Sequence, residues 1–211
     1  MSALDAQSPD GLLIAAALAG EGTAFAHLVR RYQGPLLKAA ISRLGRRTWA
    51  EEAVQEAFFC AHRWLATYDS RFSFRTWLWT ILLNQCSRVA KREARIPDAV
   101  PGAPPADSIS GLPHERIDPQ PSPLDLLLAR EDSEQLYELL ARLPEVQADA
   151  LRLRFFGGLT FPEIAAAMQC SEPGAKNRVK TGLMTLSKWL VASGGRQPLE
   201  ATEHRDQWSR L

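Results

Sequence analysis

The chain reads as all-α: two small helical domains, a four-helix bundle and a helix-turn-helix unit, joined by a proline-rich linker. Three observations predict this. No segment alternates apolar and polar residues with period two for long enough to make a convincing strand. Helix start and stop signals recur at the spacing of short helices. Of fourteen prolines, eight fall between Pro97 and Pro123, where missing N–H donors and restricted preceding residues exclude a helix or a central strand. The resulting division is 1–94, linker 95–123, 124–191 and a polar tail over 192–211.

Ser8, Pro9 and Asp10 open a first helix through Ala19, proline being preset for a first turn. The second runs from Thr23 to about Leu44 and is expected to kink at Gly34-Pro35, where the ring removes a helical hydrogen bond. Thr48-Trp49-Ala50-Glu51 has capping-box spacing and opens a third helix through about Thr67. A short ordered turn, YDSRFS, leads to Ser73, which caps a fourth to about Ala94. After the linker, Ser122 to about Leu143 is a helix ended by Pro144, and Glu145 to Phe156 is one stopped by Gly157-Gly158. Thr160 caps a short helix to Met168, and Ser171 a longer one to about Leu190.

The fourth helix carries two tryptophans two positions apart, so at about 100° per residue Trp77 and Trp79 point in opposite directions. Phe74, Leu78, Ile81, Gln85 and Val89 mark one stripe; Trp77, Asn84, Arg88 and Lys91 mark a neighbouring polar one. Trp79 lies nearer Leu83 and Cys86 and is expected to pack against another helix of the bundle. Trp77 fits a core border and a ligand-facing position equally.

Composition removes several classes of function. With 211 residues and 45% hydrophobic content, disorder throughout is excluded. There is no run of eighteen apolar residues, and no Lys or Arg precedes the short apolar run near the N-terminus, so neither membrane insertion nor a secretory signal is expected. Cys60, Cys86 and Cys170 are widely spaced and form no metal-ligand pattern, which fits small buried side chains in the reducing cytoplasm. The four histidines are scattered, and no Ser-His-Asp set, paired carboxylates or phosphate-cradling glycine loop suggests itself. No catalytic residue, metal or cofactor is expected.

The net charge of +1 hides a segregation along the chain. Between Glu21 and Glu51 stand Arg30, Arg31, Lys38, Arg43, Arg46 and Arg47 with no acid; Arg71 to Arg95 holds six bases against Glu93. Separate basic surfaces on a near-neutral chain point to local docking on a polyanion.

In LTFPEIAAAMQCSEPGAKNRVKTGLMTL, Ile164, Ala165 and Met168 share one side of the short helix. A three-residue turn, Gln169-Cys170-Ser171, leads to a helix with Ala175, Val179, Leu183 and Leu186 inside. That is a helix-turn-helix. The outer face presents Glu172, Lys176, Asn177 and Lys180, with Arg178 at its flank, side chains able to reach base edges and phosphates in a major groove. A helical hairpin with a solvated polar face would look similar.

An acidic-Gln helix, the turn YDSRFS, FRTWLW, an Asn seven residues after the first Trp and a basic end form a combination that resembles the sigma-70 family of RNA polymerase initiation factors, in its small extracytoplasmic function (ECF) group. The resemblance rests on Glu52-Ala53-Val54-Gln55-Glu56-Ala57-Phe58, on Phe74-Arg75-Thr76-Trp77-Leu78 with Asn84, and, after the linker, on Leu143-Pro144, Leu153-Arg154-Phe155-Phe156, Glu163-Ile164-Ala165 and Lys176-Asn177-Arg178. It covers about Phe25 to Arg92 and Leu136 to Leu190. Gly174-Ala175 departs from the family's Thr-Val, and a glycine there lowers helix propensity by about 1 kcal/mol.

The resemblance implies a protein that binds core RNA polymerase, opens promoter DNA at the minus-10 element and holds the minus-35 element. Tyr68, Arg71, Ser73, Trp77, Asn84, Arg88 and Lys91 would then meet minus-10 DNA, the Tyr68–Ser73 turn forming a base pocket. Glu172, Lys176, Asn177, Arg178 and Lys180 would meet minus-35 DNA. Glu52, Gln55 and Glu56 would dock on the clamp helices of the polymerase largest subunit, although charge alone explains Glu51, Glu52 and Glu56 as complements of a helix dipole. The resemblance also implies a contact with the beta flap, a linker threading toward the active-site cleft, and leaves open an anti-sigma factor as partner. Two competing readings stand beside it: an operator-binding regulator independent of polymerase, and a helical adaptor whose basic faces are merely solvated.

Overall fold

A computed structural model describes residues 7–94 and 134–192. The first group forms α1 (Asp10–Leu18), α2 (Gly22–Leu44), α3 (Arg47–Arg63) and α4 (Phe74–Glu93), with a 3-10 turn at Leu65–Thr67 between the last two. The second contains α5, helical over 134–142, then α6 (Glu145–Phe155), α7 (Phe161–Ala167) and α8 (Glu172–Ala192). Among the described residues there is no strand. The expected linker over 95–123, the helix start at Ser122 and the tail from residue 193 lie outside the described residues.

Local chemistry sets most helix ends. Ser73 caps α4 by accepting the Thr76 N–H at 3.2 Å, and Ser171 accepts the Gly174 N–H at 3.2 Å at the start of α8. The start of α3 differs from expectation. Gly45, with φ +71°, closes α2, and the chain re-enters a helix at Arg47, so Thr48 lies inside α3 and caps nothing. Glu51 pairs instead with Arg47 one turn back at 2.7 Å. The far end differs too: α3 stops at Arg63, and the tighter turn Leu65–Thr67 replaces the last turn of the expected helix.

Alanines at the crossings bring α2, α3 and α4 close, with Ala39, Ala50, Ala53, Ala57 and Ala61 buried against Leu28, Leu36, Leu78 and Leu82. On α4 the stripe Phe74, Leu78, Ile81, Gln85 and Val89 is buried throughout, while Asn84, Arg88 and Lys91 are exposed. The period read from the sequence therefore separates the two faces correctly. Buried Gln85 donates to Cys60 Sγ at 3.3 Å, tying α4 to α3.

The second group packs directly on the bundle. Arg43 of α2 pairs with Asp149 and Glu145 of α6, and its Nη2 donates to Ser87 Oγ at 2.9 Å. Arg152 of α6 donates to Ser42 Oγ at 2.8 Å, to Ser42 O at 2.7 Å and to Asp149 Oδ1 at 2.9 Å. Trp79 is fully buried, and part of its cover comes from beyond the bundle. A methyl added at Gly157, just past α6, would stand 3.0 Å from Trp79 Cε2 and 2.6 Å from Leu153 O. Only a residue without a side chain lets this loop lie on the indole.

Candidate nucleic-acid interface

The structure places the expected site residues on three faces. The first is the outer surface of α3. Gln55 and Glu56 are exposed there, beside Phe59 at 60% exposure, and Gln55 borders a cleft of about 440 Å3 between α2 and α3, lined by Val29, Leu37, Val54 and Phe58. Glu52 is committed elsewhere: Arg92, at the end of α4, holds it in a bidentate pair, one limb at 2.7 Å. The hydrogen bond from Arg92 keeps its carboxyl below the usual range despite slight desolvation. Phe59 has no sequence signal beyond lying one helical turn from Gln55.

The second face combines the Tyr68–Ser73 turn with the polar stripe of α4. The turn is ordered by its own side chains. Tyr68 Oη donates to Phe72 O at 2.6 Å, and Asp69 accepts from the Arg71 backbone at 3.0 Å and from Arg71 Nε at 2.7 Å. Trp77 lies half-buried under it, its ring centroid 5.2 Å from Tyr68 and 5.7 Å from Phe74. Asn84, Arg88 and Lys91 follow along α4 and line a cleft of about 380 Å3 together with Trp64, a residue sequence reasoning left out. The signal for Trp64 was weak: a single aromatic at a helix end, outside both stripes of α4.

The third face is the outer side of α8. The Gln169 backbone takes a left-handed φ of +50° to make the tight turn from α7, and Ala175, Val179 and Leu186 are buried against Ile164 and Ala165. Lys176, Asn177 and Lys180 are exposed, with Glu172 and Arg178 half-exposed at the edges. Glu172 pairs with Lys176 at 2.8 Å, and Lys176 Nζ stands 5.6 Å from the Phe161 ring. This face is a preformed cationic surface on a packed hairpin.

The two DNA-facing candidates are not independent here. Ser73, which caps α4, donates to Glu163 Oε1 of α7 at 2.7 Å; Thr76 Oγ1 adds a bond at 3.2 Å and Arg75 Nη2 one at 3.3 Å. Glu163 also accepts the Thr160 N–H at 2.8 Å, opening α7. Burial pushes the Glu163 carboxyl up, but the bonds from Ser73 and Thr160 and the Arg75 charge outweigh it and hold it at about 2. At Asp149 and Arg152 burial is the dominant influence, raising the acid and lowering the base against their mutual attraction.

Among the described residues no group of three or more His, Cys, Asp or Glu could hold a metal, and no helix is long and apolar enough to cross a membrane.

Both helical groups match known protein families. The family model "Sigma-70 region 2" matches residues 28–96 and "Sigma-70, region 4" matches residues 133–186. The RNA polymerase sigma-H factor of Pseudomonas aeruginosa is 31% identical over 87% of this chain and 95% of its own length. The ECF RNA polymerase sigma-E factor of Escherichia coli is 28% identical over 82% of this chain and 90% of its own. Among solved structures, CnrH in complex with the cytosolic domain of CnrY superposes with a TM-score of 0.64 at 26% identity, covering 89% of this chain and 99% of that one.

Proposed function

Because the chain belongs to the sigma-70 family of RNA polymerase initiation factors, in its ECF group, we propose that it directs core polymerase to promoters by gripping two separate DNA elements with its two domains. One observation carries the reading: α4 and α8 each bury one apolar stripe and leave a cationic, amide-bearing stripe free on the same helix. In this reading Asn84, Arg88 and Lys91 hold the opened minus-10 strand, with the Tyr68–Ser73 turn beside them. Lys176, Asn177, Arg178 and Lys180 enter the minus-35 major groove.

Gln55 and Glu56 are the polar anchors on the clamp helices, and the neighbouring cleft and Phe59 supply the apolar part of that contact. An apolar groove of about 270 Å3 on the second domain, bordered by Leu136, Leu140, Phe155 and Leu183, is assigned to the beta flap, since exposed Phe155 calls for a cover. An anti-sigma factor is assigned as a further partner by membership of the ECF group, and the similar CnrH was solved bound to another protein, the cytosolic domain of CnrY.

Run-off transcription with purified core polymerase tests the reading. RNA starting at a defined promoter only when this chain is added supports it; duplex binding without polymerase dependence would favour an operator-binding regulator instead.

A further inference from the structure

The groove between α5, α6 and α8 is apolar throughout. Leu136 and Leu140 of α5, Leu151 and Phe155 of α6, and Leu183 and Leu186 of α8 line it, and among the described residues no charged or polar side chain does. Phe155 is 61% exposed at its rim, which is a cost in water unless something covers it. Leu190, one helical turn past Leu186 on the same side of α8, is exposed as well and carries the apolar surface toward Ala192, where the helix ends.

The chain continues from that point as SGGRQPLEATEHRDQWSRL, residues 193–211. Gly194-Gly195 makes a reversal of direction cheap directly after α8, because glycine takes φ of either sign. Trp208 and Leu211 bring bulky apolar side chains at the i, i+3 spacing with which a helical turn anchors in a groove. Reach is sufficient. Leu183 lies about 14 Å back along α8 at 1.5 Å per residue, and the chain from Ala192 to Trp208 spans about 20–24 Å even as a flexible coil. The linker fits less well: Leu124 and Leu126 to Leu128 are apolar too, but only Ala129 to Ser133 separates them from α5, with no Gly or Pro to turn the chain back.

We propose that residues 193–211 fold back and lay Trp208 and Leu211 into this groove, so that in the free chain the tail covers the surface assigned above to the beta flap. Its regulatory consequence rests on that assignment: tail and flap compete, and polymerase displaces the tail. A tether of this length sets an effective concentration of about 1 mM. Against an intrinsic Kd of about 0.1 mM for the Trp–Leu anchor, roughly a tenth of the grooves stand open, and a competitor binds about tenfold more weakly.

The test uses the full chain with the photoreactive p-benzoylphenylalanine in place of exposed Phe155, illuminated alone and after mixing with core polymerase. An intramolecular crosslink to a peptide within 199–211 is expected in the free chain. Trp208→Ala combined with Leu211→Ala should cut its yield about tenfold and, in the chain that keeps Phe155, tighten capture by core polymerase by about the same factor. A crosslink to 124–133 instead, a concentration-dependent crosslinked dimer, no crosslink to the tail, or a yield indifferent to the double substitution would overturn the proposal. Failure of the flap assignment looks different: the tail crosslink then persists, and capture is unchanged by the double substitution, when polymerase is bound. If both readings hold, the crosslink passes from the tail to the polymerase beta subunit.

Discussion

Ser73 and Glu163 meet across the two domains at 2.7 Å, and each also caps its own helix: Ser73 accepts at the start of α4, and Glu163 accepts from Thr160 at the start of α7. Because Ser73 belongs to the turn assigned to minus-10 DNA, the contact couples domain packing to that surface. The carboxyl is held at about 2, below its ordinary 4.5, so its contribution is full above the unfolded value and fades as pH falls toward the folded one. Acidification between those values should move the domains apart, read as a longer fluorophore distance between α2 and α8. Glu163→Gln should flatten that change. A double-mutant cycle with Ser73→Ala isolates the shared bond from the two caps.

Among the described residues Asp149 is the one carboxylate that Arg43 and Arg152 share in the buried contact, as Glu145, itself exposed, reaches Arg43 alone. Removing it leaves two guanidinium groups without their common partner. Asp149→Ala should lower stability by about 3–5 kcal/mol, read as a shifted urea midpoint. A change below about 1 kcal/mol, the size of a surface pair, would show that the knot opens freely to water.

Trp79 and Trp77 should respond differently although they are near neighbours. Trp79→Ala empties a fully buried site and should cost about 3–5 kcal/mol. Trp77 is half-buried over Tyr68 and Phe74, so its truncation should cost less in unfolding and more in affinity for forked minus-10 DNA. Equal destabilisation by both would place Trp77 wholly in the core.

Arg178→Ala should weaken binding to a minus-35 duplex. If the guanidinium meets phosphate, the loss is uniform across sequences and the salt slope falls by about 1; if it meets a base, about 1–3 kcal/mol is lost and discrimination at one position relaxes. Identical affinity and preference would remove Arg178 from the interface.

Gln55→Ala combined with Glu56→Ala should leave the unfolding midpoint within about 0.5 kcal/mol, because both side chains are exposed. Capture of the chain by immobilised core polymerase should drop. Normal capture would move the docking surface elsewhere, with Phe59 the next candidate.

Periodicity was a reliable guide wherever a helix had one wet and one dry side. The stripe from Phe74 to Val89, the inner residues of α8 and the caps at Ser73 and Ser171 all follow from spacing and local hydrogen-bonding capacity. Thr48 misled because its capping signal competes with a turn so short that the helix had already begun at Arg47. Trp64 escaped notice for a related reason: exposure of a single aromatic at a helix end has no period to read.

Sequence alone determined the all-α class, the grouping of helices and the cationic faces of α4 and α8, because these depend on contacts within a few residues. Tertiary structure decided what lies over each side chain. It set Gly157 on Trp79, Glu163 on Ser73, and Asp149 on Arg43, positions 78 to 106 apart along the chain. Such pairings arise from packing two finished surfaces, and no local propensity encodes which distant residue will cover an indole or neutralise a buried guanidinium.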